Sequence, residues 1–506
     1  MKKCIWICLL FAGLELQGQQ ITFDRQKTFQ TMHSFGASDC WSMAMIGKYY
    51  PESKKKQIAE WLFSQESDPQ GNPKGIGLSL WRFNIGAGST EQGKESKISN
   101  EWRRSESFLT GDSYDDWEKQ KGQQYFLTAA KQYQVPYTLG FLNSSPVQMT
   151  KNGLAIGSGR LGEWNFDTTK IEAWTNFLTR VSSHFDFTYI SPFNEPQWDW
   201  GPGKSGQASQ EGTPINNSDL AWATRKLAQD FQRTNTKTRI VIPEAAQLNY
   251  LYDPKSNRPS QDGQIDNFFN AESINYLGNL SAVERVISGH SYFTTSPASK
   301  LTSTRQAVAK KAKAANIDFW QSEYCILGDN AGEITGSGVD LGMKTALYVA
   351  KVIHSDIYDG NASSWSWWLA VSANDYKDGL IYTFAGLNKG ENDNNKYDAD
   401  LYDSKTLWAF GNYARFVRPG MKRIEAGIQQ PDCLITGFAD NQSTVFVLIN
   451  SGKAFELSLA GKQEIKTYTT SDTQNLSYQS VQNERIQVPG SSIMTIVFGS
   501  KNGIAF

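Results

Sequence analysis

The sequence predicts an α/β fold: a (β/α)8 TIM barrel with a C-terminal antiparallel β-sandwich side domain. Three observations point there. Between about residues 33 and 415, short β-rich apolar runs alternate with longer amphipathic stretches, as in parallel strands joined by helices. The runs number eight, the count of a closed barrel. After Arg418-Pro419-Gly420 the pattern changes to short alternating strands separated by Gly, Asn, Asp and Ser.

The predicted barrel strands are 33–37, 78–85, 137–142, 189–193, 239–243, 286–290, 319–322 and 364–369. Helices are predicted over 53–65, 122–134, 168–184, 217–234, 270–280, 302–315 and 338–358. A last helix over 405–417 has Asp403 or Ser404 as its N-cap. The sandwich strands are 433–438, 444–449, 454–459, 464–469, 486–488 and 492–498. The stretch 20–31 would add one more, since the ends of a domain often lie close together.

The N-terminus reads Met1-Lys2-Lys3, then an apolar run from Cys4 to Leu14, then Gln17-Gly18-Gln19-Gln20. Two positive charges, a short apolar stretch and small or polar residues make a secretory signal over 1–20. The expected product is secreted or periplasmic, and the run is too short to span a bilayer. The remaining divisions are an N-terminal strand over 21–32, a barrel over 33–418 and the side domain over 419–506.

Composition narrows the function. The 506 residues carry a formal net charge of −1, which gives no basic surface for nucleic acid or an anionic membrane. Sixteen Trp, 21 Tyr and 27 Phe are a heavy aromatic load. Most belong to the core, and some suit the apolar face of a sugar ring. Outside the signal only Cys40, Cys325 and Cys433 remain, with neither zinc nor disulfide-framework spacing. Buried thiols are expected. No cofactor and no metal is implied, and a monomer is expected.

Two strands run into glutamates. Tyr189-Ile190-Ser191-Pro192-Phe193 leads to Asn194-Glu195-Pro196, at the end of the fourth strand. Ile317-Asp318-Phe319-Trp320-Gln321-Ser322 leads to Glu323, at the end of the seventh. The carboxyl ends of barrel strands carry active sites. A lone strand-end glutamate is usually a solvated or salt-bridged residue. Two, across one barrel mouth, suit glycosidic cleavage, which needs a nucleophile on the anomeric carbon and an acid on the leaving oxygen. Glu323 would attack; Glu195 would be the acid, then the base for water. The negative charge of Glu323 would help keep the Glu195 proton in place.

Asn194-Glu195-Pro196 with the later glutamate is similar to the retaining hydrolases of glycoside hydrolase clan A. Within that clan the chain resembles glycoside hydrolase family 30. The matching segments are Ser34-Phe35-Gly36-Ala37-Ser38-Asp39, Leu80-Trp81-Arg82-Phe83-Asn84-Ile85-Gly86, Asn143-Ser144-Ser145-Pro146, Gly289-His290-Ser291-Tyr292 and Tyr413-Ala414-Arg415-Phe416-Val417-Arg418-Pro419-Gly420. They run in order from the first strand to the barrel exit. The resemblance implies a barrel with a side sandwich and a carbohydrate substrate. It implies that Asn194 binds the sugar 2-hydroxyl and that Arg82 and Tyr292 hold Glu323 ionised. Asp39 and Trp367 would line the pocket, and Asn143 would contact substrate. His290 would orient a carboxylate or bind a hydroxyl. Trp365 and Trp367 share one strand face and Trp368 takes the other.

The chain departs from many members after the third strand, where Ser145-Pro146-Val147-Gln148-Met149 lacks both a Pro-Pro pair and the tryptophan beyond it. Trp198-Asp199-Trp200-Gly201 suits an exposed sugar platform, with Trp198 foremost. Glu244 is a rival carboxylate, read as substrate-binding or structural. The long second-strand segment looks most like the endo-β-1,6-galactanase branch and its bacterial relatives. β-1,6-Glucanase, xylanase and exo-β-glycosidase activities are the alternatives. A catalytically inactive carbohydrate-binding protein is the alternative of another class, and loss of either glutamate would be its mark.

Overall fold

The computed structural model describes residues 19–111, 115–459, 464–481 and 485–499. The expected signal falls almost wholly outside them. Among the described residues, no helix is long and apolar enough to cross a membrane.

Eight parallel strands form the barrel: Ser34–Ser38, Leu80–Asn84, Tyr137–Phe141, Tyr189–Ser191, Arg239–Ile240, Val286–His290, Asp318–Glu323 and Ala362–Ser372. Each pairs with its neighbour in chain order, and the eighth returns to the first. The fifth and sixth are joined by the parallel bridges Ile240↔Val283 and Ala245↔Gly289. His290 N donates to Ala245 O at 2.8 Å there. Nearly every strand residue is buried, because helices cover one face and the barrel core the other.

The helix Asn217–Thr234 shows how the sequence sets these elements. Asn216 caps it, its side chain accepting from Asp219 N at 2.9 Å. Such a cap contributes about 1 kcal/mol. Leu220, Leu227 and Phe231 recur at helical spacing and bury one stripe. The helix stops at Asn235, which adopts the left-handed conformation (φ 55°). Ser404 caps Lys405–Ala414 in the same way, accepting from Leu407 N at 3.1 Å.

The helix expected over 270–280 does not form. Asn270 Oδ1 accepts from Glu272 N and Ser273 Oγ from Asn275 N, each at 3.1 Å, so side chains turn the backbone locally. A shorter helix, Gln264–Phe269, takes its place. Two elements had no clear pattern. Ser42–Tyr49 is a helix without a side-chain cap. Gly379–Phe384 extends the sheet beyond the eighth strand and pairs with Asp400–Asp403.

The side domain is a nine-stranded sheet folded over its own core of Ile21, Ile424, Phe446, Leu457, Ile486 and Ile496. Gln19–Thr31 belongs to it, antiparallel to Lys422–Ile428 and parallel to Phe455–Ser458. Lys422–Ile428 and Gln474–Val481 are strands that alternation alone did not reveal. Asn412 Nδ2 ties the last barrel helix to the sheet through Tyr468 O and Thr495 Oγ1, both at 2.9 Å.

Candidate active site

The two glutamates meet at the carboxyl ends of the strands. One oxygen of Glu195 and one of Glu323 lie within 4.8 Å of each other. Both line a cleft of about 710 Å³.

Glu195 sits where the chain leaves the fourth strand, with φ 47°. A non-glycine residue in this region costs on the order of 1–3 kcal/mol, so its surroundings must hold it. Its N–H donates to Glu244 O at 2.9 Å. Its carbonyl accepts from Trp198 N at 3.2 Å and Trp200 Nε1 at 3.0 Å. Glu244, at the next strand end, has the same backbone sign, with φ 56°.

Glu323 is held by one side chain from the second strand and one from just beyond the sixth. Arg82 Nη1 donates to Oε2 and the Tyr292 hydroxyl to Oε1, each at 3.0 Å. Arg82 is buried and stacks on Phe141, its Cζ 4.4 Å from the ring centre. A register shift between Gly289 and His290 sets His290 opposite Glu323. Such an irregularity re-aims a side chain.

His290 joins the carboxylates. Nδ1 lies 2.9 Å from Glu195 Oε1 and 3.4 Å from Glu323 Oε1; Nε2 lies 3.1 Å from Glu244 Oε2. Burial alone would lower its pKa, but the surrounding carboxylates outweigh burial and raise it to about 10. His290 is therefore an imidazolium at neutral pH, and both ring nitrogens donate. Both lie within hydrogen-bond distance of a carboxylate, Glu195 on one side and Glu244 on the other.

Glu244 accepts from Ser191 Oγ at 2.6 Å, and the Ser322 hydroxyl also bonds to it. Arg82 Nη2 is 3.8 Å away. Burial alone would raise its pKa; His290, Arg82 and Ser191 outweigh it and hold Glu244 at about 2. It is fully buried, a negative charge beneath the site. Glu195 goes the other way: burial first, then the charge of Glu323, raises its pKa despite His290.

Glu195, His290 and Glu323 each place one donor atom within 4.8 Å of the others, a spacing that a cation would tolerate. A metal needs a neutral imidazole lone pair, whereas the His290 ring faces three carboxylates at 2.9, 3.1 and 3.4 Å that favour its protonated form.

The remaining candidates fall in three places. Asn84, Asn143 and Asn194 form a chain: Asn143 Nδ2 donates to Asn84 Oδ1 at 3.2 Å, and Asn194 Nδ2 to Asn143 Oδ1 at 3.1 Å. Asn194 lines the cleft, and its Oδ1 has no partner among the described residues. Asp39 lies buried below, away from the cleft surface, accepting from Asn84 N at 2.8 Å. Burial raises its pKa well above the ordinary value. Trp198 is at the rim, its ring edge-on to Phe293 at 6.3 Å.

Trp367 is a correction. It is buried behind the cleft, its Nε1 donating to Asp378 O at 2.7 Å. Trp365, on the same strand face, packs on Phe410 of the last helix, so that face looks outward. Trp368 points inward and lines the cleft. The alternation was legible; the side that faced the sugar was not. Cys40, Cys325 and Cys433 are free thiols. Arg103 and Asp378 also line the cleft, the first from the three-residue 3-10 helix Glu101–Arg103 and the second from a loop, neither with a periodic signal.

A barrel whose fourth and seventh strands end in apposed glutamates defines a (β/α)8 glycosidase. The chain belongs to O-glycosyl hydrolase family 30, whose model matches residues 18–382. It is similar to a conserved exported protein from Bacteroides fragilis, with 34% identity over 94% of this chain and 99% of that one, and a TM-score of 0.87. It shares its fold with the catalytic domain of GH30 xylanase C from Talaromyces cellulolyticus, at 20% identity, 95% and 100% coverage and TM-score 0.66. It also shares the fold with an endo-β1,6-glucanase, at 15% identity, 95% and 94% coverage and TM-score 0.62.

Proposed function

We propose that this chain is a retaining β-glycosidase that cleaves β-1,6-linked galactan or a closely related neutral plant-type glycan. The observation that carries the mechanism is the apposition of Glu195 and Glu323, with oxygens within 4.8 Å. Retention places the carboxyls about 5–5.5 Å apart, whereas inversion leaves about 6.5–9.5 Å for a water. Their partners divide the work. Glu323, accepting from Arg82 and Tyr292, attacks the anomeric carbon and displaces the leaving oxygen. Glu195, whose pKa is raised, gives that oxygen its proton. The ester on Glu323 removes a negative charge, and Glu195 as a carboxylate then takes a proton from water. Water attacks the anomeric carbon and releases Glu323. Asn194 binds the 2-hydroxyl during both steps.

The substrate reading rests on the second-strand segment Trp81-Arg82-Phe83-Asn84-Ile85-Gly86-Ala87-Gly88 and on the overall layout. The endo-β1,6-glucanase fold neighbour supports β-1,6-glucan as the second reading. Both glutamates are present, which argues against an inactive binding protein. The N-terminal pattern and the exported relative support an exported enzyme. Product analysis over β-1,6-galactan, arabinogalactan, β-1,6-glucan and xylan tests the reading. Cleavage of β-1,6-galactan with the β-anomer formed first is expected; an α-anomer first, or cleavage of xylan alone, overturns it.

A further inference from the structure

A leaving group is protonated from its own side, so the aglycone passes Glu195 and the glycon lies across the cleft. The loop after Glu195 supplies Trp198 and Trp200. The opposite wall, built from the ends of the eighth and first strands and the loop of the second, supplies Trp368, Trp41, Arg103 and Asp378. This assignment rests on the proposed role of Glu195.

Arg103 is held in place. Its guanidinium lies 4.3 Å over the Trp41 ring, and Trp41 meets Trp368 edge-on at 5.2 Å. Its Nε donates to Glu391 Oε2 at 2.6 Å, and Asn100 Nδ2 steadies the same oxygen at 2.8 Å. Its two terminal amino groups have no acceptor among the described residues. Asp378 is 5% exposed, and its Oδ1 accepts no hydrogen bond among the described residues. Its Oδ2 is 3.5 Å from Asn374 Nδ2. One wall of the cleft thus carries unused donors and an unused acceptor, beside two tryptophan rings.

We propose that Arg103 and Asp378 are specificity-determining residues for the glycon, which bind adjacent hydroxyls of a neutral hexosyl unit and reject a uronosyl unit. A pair of neighbouring hydroxyls needs both partners: one O–H donates a hydrogen bond to Asp378, and the other oxygen accepts one from Arg103. A uronate offers only acceptors on its carboxylate. It would meet one cation and two anions, because Glu391 already occupies Arg103 and Asp378 stands beside it. The wall has no positive charge to spare.

The test uses the full chain carrying Glu323→Ala, which leaves ligands uncut. Calorimetric titration at pH 7 compares two β-1,6-linked disaccharides: galactosyl-galactose and galacturonosyl-galactose. The neutral ligand should bind at least about tenfold tighter. Adding Asp378→Asn should weaken the neutral ligand and strengthen the acidic one, a crossing that general damage to the fold would not give. Adding Arg103→Lys, which keeps the charge and loses the fork, should weaken the neutral ligand about tenfold. Thermal unfolding of each variant shows that it is folded. If the polysaccharide panel shows cleavage of β-1,6-glucan instead, the galactan reading falls, and the comparison is made with β-1,6-linked glucosyl-glucose and glucuronosyl-glucose. Equal or tighter binding of the acidic ligand overturns the inference. So does binding of both ligands within twofold of the parent in both variants, or no binding of either ligand to the parent.

Discussion

Glu244→Gln should move the titration of His290 by two to three pH units. His290 lies 2.9 Å from Glu195, 3.1 Å from Glu244 and 3.4 Å from Glu323. Those charges overcome burial and hold it protonated up to about 10. At an effective dielectric of about 20, a charge 3.1 Å away contributes ~5 kcal/mol. Glutamine keeps the shape and an acceptor oxygen but loses the charge. With relaxation of Arg82 and entry of water, a fall of ~2–3 units is expected, at about 1.4 kcal/mol each. The assay is imidazole NMR on ¹⁵N-histidine protein. There are four histidines. Burial lowers His33 and His354 to about 4 and pulls His184 below its ordinary value. One imidazole, absent in His290→Asn, should therefore stay protonated far above the rest, and should titrate between about 7 and 8 in Glu244→Gln. Stability follows with a definite sign. The folded pKa is raised, so the contribution is complete below the ordinary value of 6.5 and is lost as pH rises through about 10. Parent stability should fall by about 1.4 kcal/mol per pH unit from this group across that window; in the variant this group's contribution should be nearly flat above about 8. A parent His290 that titrates near 6.5, or one unmoved by the substitution, refutes the reasoning.

Glu195→Ala should cut kcat by about 10²–10⁴-fold on substrates with poor leaving groups, far less on activated aryl glycosides, and azide should restore turnover as the β-glycosyl azide. Because burial raises the Glu195 pKa, the alkaline limb of kcat/KM should lie above the ordinary carboxylate value of 4.5 and should vanish in that variant. Arg82→Met strands two buried carboxylates, so unfolding stability should drop by about 3–5 kcal/mol together with activity. The two tryptophans should separate cleanly by kinetics and melting. Trp367→Ala should cost about 3–5 kcal/mol of stability, whereas Trp368→Ala should chiefly raise KM.

Most of the barrel was legible because its strands are buried on both faces and read as apolar runs. The glutamates were legible because Asn194-Glu195-Pro196 and Ser322-Glu323 end such runs, and a strand end in a barrel is a place with a function. The misread helix at 270–280 shows what pattern misses: Asn270 and Ser273 bond to the backbone two residues on, and local turns win over helical spacing. Trp367 and Trp368 show a second limit. Period two separates the faces of a strand but does not say which looks inward. Arg103 and Asp378 show a third. Arg103 ends a three-residue 3-10 helix and Asp378 lies in a loop, and only folding brings them to one wall. Glu244 stands out in the sequence as a rival carboxylate, but its bond to His290, 46 positions later, is a product of the barrel's closure.

The configuration of the glycosyl azide formed by Glu323→Ala tests the central claim most directly. If Glu323 is the nucleophile, the variant should be inactive alone, and azide should occupy the vacated space and give the α-glycosyl azide. A β-glycosyl azide, or substantial turnover without azide, would contradict it.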